Sequence, residues 1–111
     1  MAQIKKILIA NRGEIAIRII STCREMGIET VTLYSKFDKD LPHAFLSNES
    51  YFLEGETIGE TYLNQEAILS IAKKAKVDAI HPGYGFLSEN PKYCDKVKKA
   101  NIIFIGPSPE A

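Results

Sequence analysis

Short apolar runs alternate with amphipathic stretches from one end of the chain to the other. Lys6-Ile7-Leu8-Ile9-Ala10 is a compact apolar run, the pattern of a strand buried on both faces. Asn11-Arg12-Gly13 turns the chain. The spacing then predicts a helix over 14–26, closed by Gly27 at the position that a helix C-terminus favours. A second strand is predicted over 30–34. Residues 35–48 are weakly patterned, with Leu41-Pro42 as a start for one or two helical turns. A short third strand follows over 50–53, then a loop over 54–60. Asn64 caps a helix over 65–75, with Glu66 in its first turn and Lys73, Lys74 and Lys76 near its end, as the helix dipole prefers. The fourth strand is predicted over 77–81, a glycine-containing loop over 82–87, and a last helix from a Ser88 cap through Lys99. The fifth strand covers 102–105, and 106–109 is an exit loop.

This alternation predicts an α/β fold: a Rossmann-like, doubly wound, mostly parallel sheet of five strands in the order 3-2-1-4-5. One domain covers 1–111, with no internal repeat. Composition narrows the class. Fourteen basic residues balance fourteen acidic ones, which argues against a nucleic-acid binder, since that role needs a basic excess. No apolar run approaches the roughly 20 residues that span a bilayer, so no membrane partner is expected. Lys5 and Lys6 precede only the run 7–10, too short for a signal-peptide core. Two cysteines cannot build a disulfide framework, and a cytoplasmic location is the expectation.

In open α/β sheets, ligands bind beyond the carboxyl ends of the strands near the switch in winding direction. Two loops fall there, Asn11-Arg12-Gly13-Glu14 and Pro82-Gly83-Tyr84-Gly85-Phe86, and they are neighbours if strands one and four pair. A dinucleotide site needs G-x-G-x-x-G so that the backbone can approach a pyrophosphate. The first loop has one glycine, and Glu14 puts a negative charge at the phosphate position. The second strand ends in Tyr34-Ser35, without the acid that would hold a ribose. A phospho-receiver domain shares the strand order, but the clustered aspartates it needs at the strand tips are missing. In the second loop, Gly83 and Gly85 flank Tyr84. Their backbone N–H groups could face a small polar ligand, or the glycines could simply permit a sharp turn while Tyr84 and Phe86 pack.

His81 has no cysteine, carboxylate or serine partner in sequence and reads as structural; His43 reads as solvated. Cys23, Cys94, His43 and His81 show no metal-ligand spacing, so neither a metal site nor a catalytic residue is assigned. At about 100° per residue, Ile15, Ala16, Ile19, Ile20, Cys23 and Met26 form the predicted buried face of the first helix. Glu14, Arg18, Ser21 and Glu25 line the opposite side, with Ile17 exposed beside them. That stripe is either a solvated face carrying a Glu14–Arg18 pair worth about 0.2–0.5 kcal/mol or an interface.

Three stretches resemble the N-terminal domain of the biotin carboxylase family, the ATP-grasp component of acetyl-CoA, propionyl-CoA, methylcrotonyl-CoA and pyruvate carboxylases. They are Ile9-Ala10-Asn11-Arg12-Gly13-Glu14-Ile15-Ala16, the ten residues His81-Pro82-Gly83-Tyr84-Gly85-Phe86-Leu87-Ser88-Glu89-Asn90, and Phe104-Ile105-Gly106-Pro107. Tyr62-Leu63-Asn64 fits as well. The resemblance covers essentially the whole chain.

It implies an enzyme that uses MgATP and bicarbonate to form carboxyphosphate and then carboxylates biotin held on a carrier domain. It implies that the loop at Gly83, Tyr84, Gly85 and Phe86 borders the biotin and bicarbonate side of the active site. It also implies that ATP and Mg2+ are bound by a downstream ATP-grasp domain, so that 1–111 is a fragment without carboxylase or ATPase activity and with no cofactor of its own. The implied partners are the downstream ATP-grasp and C-terminal domains, the biotin carboxyl carrier and the carboxyltransferase. A homodimer through the first helix is implied at Ile17, Arg18, Ser21 and Glu25; Ser21 departs from the family's usual arginine, and Asn48 from its usual aspartate. The alternative is a stand-alone Rossmann-like module for binding or interaction.

Overall fold

A computed structural model describes residues 4–11, 13–36, 46–57, 61–83 and 91–105. Strand β1 is Lys6–Ile9, helix α1 is Gly13–Glu25, strand β2 is Glu29–Tyr34 and strand β3 is Glu49–Phe52. Helix α2 is Gln65–Ala75, strand β4 is Ala79–His81, helix α3 is Pro91–Lys99 and strand β5 is Ile103–Phe104. The five strands form one parallel sheet in the order β3-β2-β1-β4-β5, as the sequence predicts. β1 is central, with Leu8 opposite Val31 on one side and Ile80 on the other.

Strand alternation divides the apolar residues between two faces. Leu8, Ala10, Val31, Leu33 and Ile80 point to the face that α2 and α3 cover with Ile68, Leu69, Ala72, Tyr93 and Val97. Ile7, Ile9 and Ala79 point to the other face, where α1 lays down Ala16, Ile20 and Cys23. Right-handed crossovers with one reversal of winding force this split. Cys23 and Cys94 are buried thiols on opposite faces of the sheet. Burial pushes the Cys23 thiol up.

Helix ends decide where several strands begin. After α1, Gly27 takes φ +74°, its N–H donates to the Arg24 carbonyl at 3.1 Å, and the Ile28 N–H donates to Cys23 at 2.8 Å. This paired closure satisfies carbonyls that a helix end leaves open. α2 closes the same way at Lys76, φ +57°, with the Val77 N–H donating to Ala72. α3 does so at Asn101, φ +61°, with the Ile102 N–H on Val97. Val77 and Ile102 are therefore engaged by the preceding helices, and β4 and β5 start later than the predicted 77 and 102. At its other end α2 carries the predicted cap, the Asn64 side chain accepting from the Ala67 N–H at 3.1 Å.

Two polar devices hold the amino edge of the sheet. The Asp78 carboxylate accepts from the N–H groups of Lys5 and Lys6 at 2.8 and 3.0 Å, tying β4 to the start of β1. The Lys6 ammonium lies 2.5 Å from Glu49 and also donates to the Ala75 carbonyl, joining β1, β3 and α2. The Glu49 carboxyl sits below its ordinary range because Lys6 donates to it, with a second hydrogen bond from Tyr51. The Asn48 side-chain oxygen accepts from the Thr30 N–H at 2.9 Å. The predicted turns near Leu41-Pro42, together with His43 and the Ser88 cap, lie outside the described residues.

Candidate functional site

The carboxyl ends of β1 and β4 meet, as their pairing requires. The Ala10 N–H donates to the His81 carbonyl at 2.9 Å, extending the ladder one residue beyond β1. Asn11, 2% exposed, then reaches across, and its Nδ2 donates to the Pro82 carbonyl at 2.9 Å. Gly83 follows at φ +68°, a conformation that costs residues with a Cβ roughly 1–2 kcal/mol. A Cβ built there would stand 2.6 Å from Asn11 Nδ2 and 2.9 Å from Asn11 Cβ. Glycine is needed here for the close approach as well as for the backbone angle.

The Gly83 N–H donates to Nδ1 of His81 at 3.1 Å. It is thus engaged within the chain and is not an open donor of the kind the glycine spacing allowed. Tyr84, Gly85 and Phe86 lie outside the described residues. Half-buried His81 is held below its ordinary pKa by desolvation, which favours the neutral ring. His81 thus accepts a hydrogen bond from the Gly83 backbone two residues later.

From His81 and Gly83 a groove of about 630 Å³ runs along α1, lined by Ile4, Ile7, Ile15, Ile19, Met26 and Ile105 among others. Among the described residues, α1 is the helix that packs on this face of the sheet, through Ala16, Ile20 and Cys23. The predicted buried face of α1 needs a matching correction. Ala16, Ile20 and Cys23 are buried, but Ile15 and Ile19 are only half-buried and Met26 is 68% exposed. Ile17, predicted to be exposed, is half-buried. Arg18, Ser21 and Glu25 are exposed, and Arg18 pairs with Glu14 at 2.7 Å. Sequence reasoning missed the Asn11–Pro82 bridge. Its signal was a polar residue directly after an apolar strand, at the tip facing the other loop.

The fold and this edge define a Rossmann-like platform domain whose first turn lacks the glycines of a dinucleotide site. The chain belongs to the family described as biotin carboxylase, N-terminal domain, whose profile matches residues 3–111. It is 57% identical over 105 residues to "Biotin carboxylase 2" of Bacillus subtilis, covering 95% of this chain and 24% of that protein. It is 54% identical over 109 residues to "Pyruvate carboxylase" of Staphylococcus aureus, covering 96% of this chain and 9% of that protein. Among solved structures, K. lactis urea amidolyase superposes with a TM-score of 0.94 at 48% identity, covering 96% of this chain and 6% of that one. The chain thus spans about a quarter of the length of the biotin carboxylases it matches, and less of the multifunctional enzymes.

Proposed function

We propose that these residues are the N-terminal platform of a longer biotin carboxylase, an ATP-dependent ligase that carboxylates biotin on a carrier domain. The family match over 3–111, on a sheet ordered β3-β2-β1-β4-β5, carries this reading. The similar proteins are named for pyruvate and urea as well as for biotin carboxylation. In our reading the choice of final acceptor therefore belongs to a carboxyltransferase elsewhere in the assembly.

Among the described residues no three His, Cys, Asp or Glu side chains gather as a metal cluster. We assign MgATP to a downstream ATP-grasp domain and expect the 111 residues alone to be inactive. Biotin would arrive on its carrier at the loop formed by Gly83, Tyr84, Gly85 and Phe86. The tight approach of Gly83 to Asn11 supports a fixed starting point for that loop. Because the Gly83 N–H is engaged by His81, the ligand-facing groups in this reading lie further along the loop.

The apolar groove beside α1 is the surface we assign to the downstream ATP-grasp and C-terminal domains. The stripe of Ile17, Arg18, Ser21 and Glu25 is assigned to a second copy of the enzyme. Arg18 makes an exposed pair with Glu14, which costs little to exchange for a partner charge. No helix among the described residues is long and apolar enough to cross a membrane, and we place the enzyme in the cytoplasm.

The test is amide hydrogen exchange on a chimera in which these 111 residues replace the matching segment of Bacillus subtilis biotin carboxylase 2. Biotin with MgATP and bicarbonate should slow exchange in the peptide spanning Gly83 to Phe86. Ligand-induced protection elsewhere, with that peptide unchanged, would remove the loop from the site.

A further inference from the structure

The entry to the glycine loop is fixed from two sides. Asn11 crosses from the end of β1 and donates to the Pro82 carbonyl at 2.9 Å, while the Gly83 N–H donates back to His81 Nδ1 at 3.1 Å. The second bond exists only while Nδ1 keeps its lone pair, so the neutral ring carries its proton on Nε2. Pro82 brings no N–H of its own, and its fixed φ stiffens the step between the two anchors. Gly83, at φ +68°, lies so close to Asn11 that a Cβ would stand 2.6 Å from the amide nitrogen. Asn11 is almost wholly buried, and its carboxamide bridges one strand end to the other.

We infer that Asn11 and His81 are positioning residues for the loop that begins at Gly83, acting through the Pro82–Gly83 backbone and not on the ligand. Two bonds from two directions define both where the backbone leaves β4 and which way it points. The consequence for the enzyme rests on the reading that this loop borders biotin. Displacement of a binding segment by about 1 Å is enough to weaken a bound reactant's alignment severely.

The test has two arms with separate failures. In the chain itself, the Gly83 amide should be protected from exchange. His81→Leu should speed its exchange roughly tenfold or more, and His81→Asn, which sets an amide oxygen near the Nδ1 position, should recover most of the protection. Equal Gly83 exchange in the parent and in His81→Leu overturns the inference, whatever the enzyme reading. In the Bacillus subtilis chimera, Asn11→Ala and His81→Leu should raise KM for biotin roughly tenfold while KM for ATP stays within about twofold, and His81→Asn should restore biotin KM. Folded variants with unchanged biotin KM overturn the positioning role. A parent chimera that shows no biotin dependence at all overturns instead the reading of the loop as the biotin side, and the exchange arm still decides whether the two anchors hold Gly83.

Discussion

Gly83→Ala separates a tight approach from a mere turn. Two costs are expected at this position. The left-handed backbone angle, φ +68°, strains any residue with a Cβ by roughly 1–2 kcal/mol, offset in part by about 0.4–1 kcal/mol from a stiffer unfolded chain. Gly27 supplies the control, since it has φ +74° and no atom within 4 Å of a built Cβ. At Gly83 the new methyl would stand 2.6 Å from Asn11 Nδ2, so the amide must leave and its bond to Pro82 is lost. Losing that bond in a buried setting costs about 1–3 kcal/mol more.

Gly83→Ala should therefore be less stable than Gly27→Ala by about 1–3 kcal/mol, or roughly 5–15 °C in Tm for a domain of this size. The chain has no tryptophan, so circular dichroism in urea is the suitable assay. The double variant Asn11→Gly/Gly83→Ala completes a cycle, because removing the Asn11 side chain removes the obstruction. Its cost should fall short of the sum of the single costs by about 1 kcal/mol or more. Equal losses at Gly83 and Gly27, or a cycle additive within about 0.5 kcal/mol, would refute the close-approach argument.

Lys76→Gly should stabilise the chain by about 0.5–1 kcal/mol, seen as a higher urea midpoint, because Lys76 closes α2 at φ +57° where glycine carries no Cβ penalty. Leu8→Ala in the central strand, fully buried between Val31 and Ile80, should cost about 3–5 kcal/mol by urea unfolding. Phe52→Ala on the edge strand, 46% exposed, should cost clearly less than Leu8→Ala in the same assay. The lowered Glu49 pKa stabilises the fold fully above the unfolded value of about 4.3 and loses that contribution as pH falls through the folded value. The stability gap between the parent and Glu49→Gln should thus narrow as pH drops from about 6 to about 3.

The sheet was legible because a strand buried on both faces leaves an apolar run, and 6–10 and 77–81 have no competing period. Their alternation with helical spacing then allows few topologies. Strand starts were less legible. Val77 and Ile102 look like strand residues, yet their N–H groups close α2 and α3, a use that only the left-handed residues Lys76 and Asn101 reveal. Met26 and Ile15 misled because helical periodicity tells which side of α1 is apolar but not how much sheet lies beneath it. The groove beside α1 leaves that apolar side half open. At the candidate site, the motif beginning at His81 was plain in sequence. The Asn11–Pro82 bridge was not, since residues separated by 71 positions meet only after β1 and β4 pair.

In the function we propose, these residues form the platform of a biotin carboxylase and depend on the rest of that enzyme for chemistry. The most direct measurement is ATP cleavage dependent on bicarbonate and biotin, by the 111-residue chain and by its chimera with Bacillus subtilis biotin carboxylase 2, side by side. The expected result is no turnover from the chain alone and steady, biotin-dependent turnover from the chimera. Turnover by the chain alone, or a folded chimera with none, would contradict it.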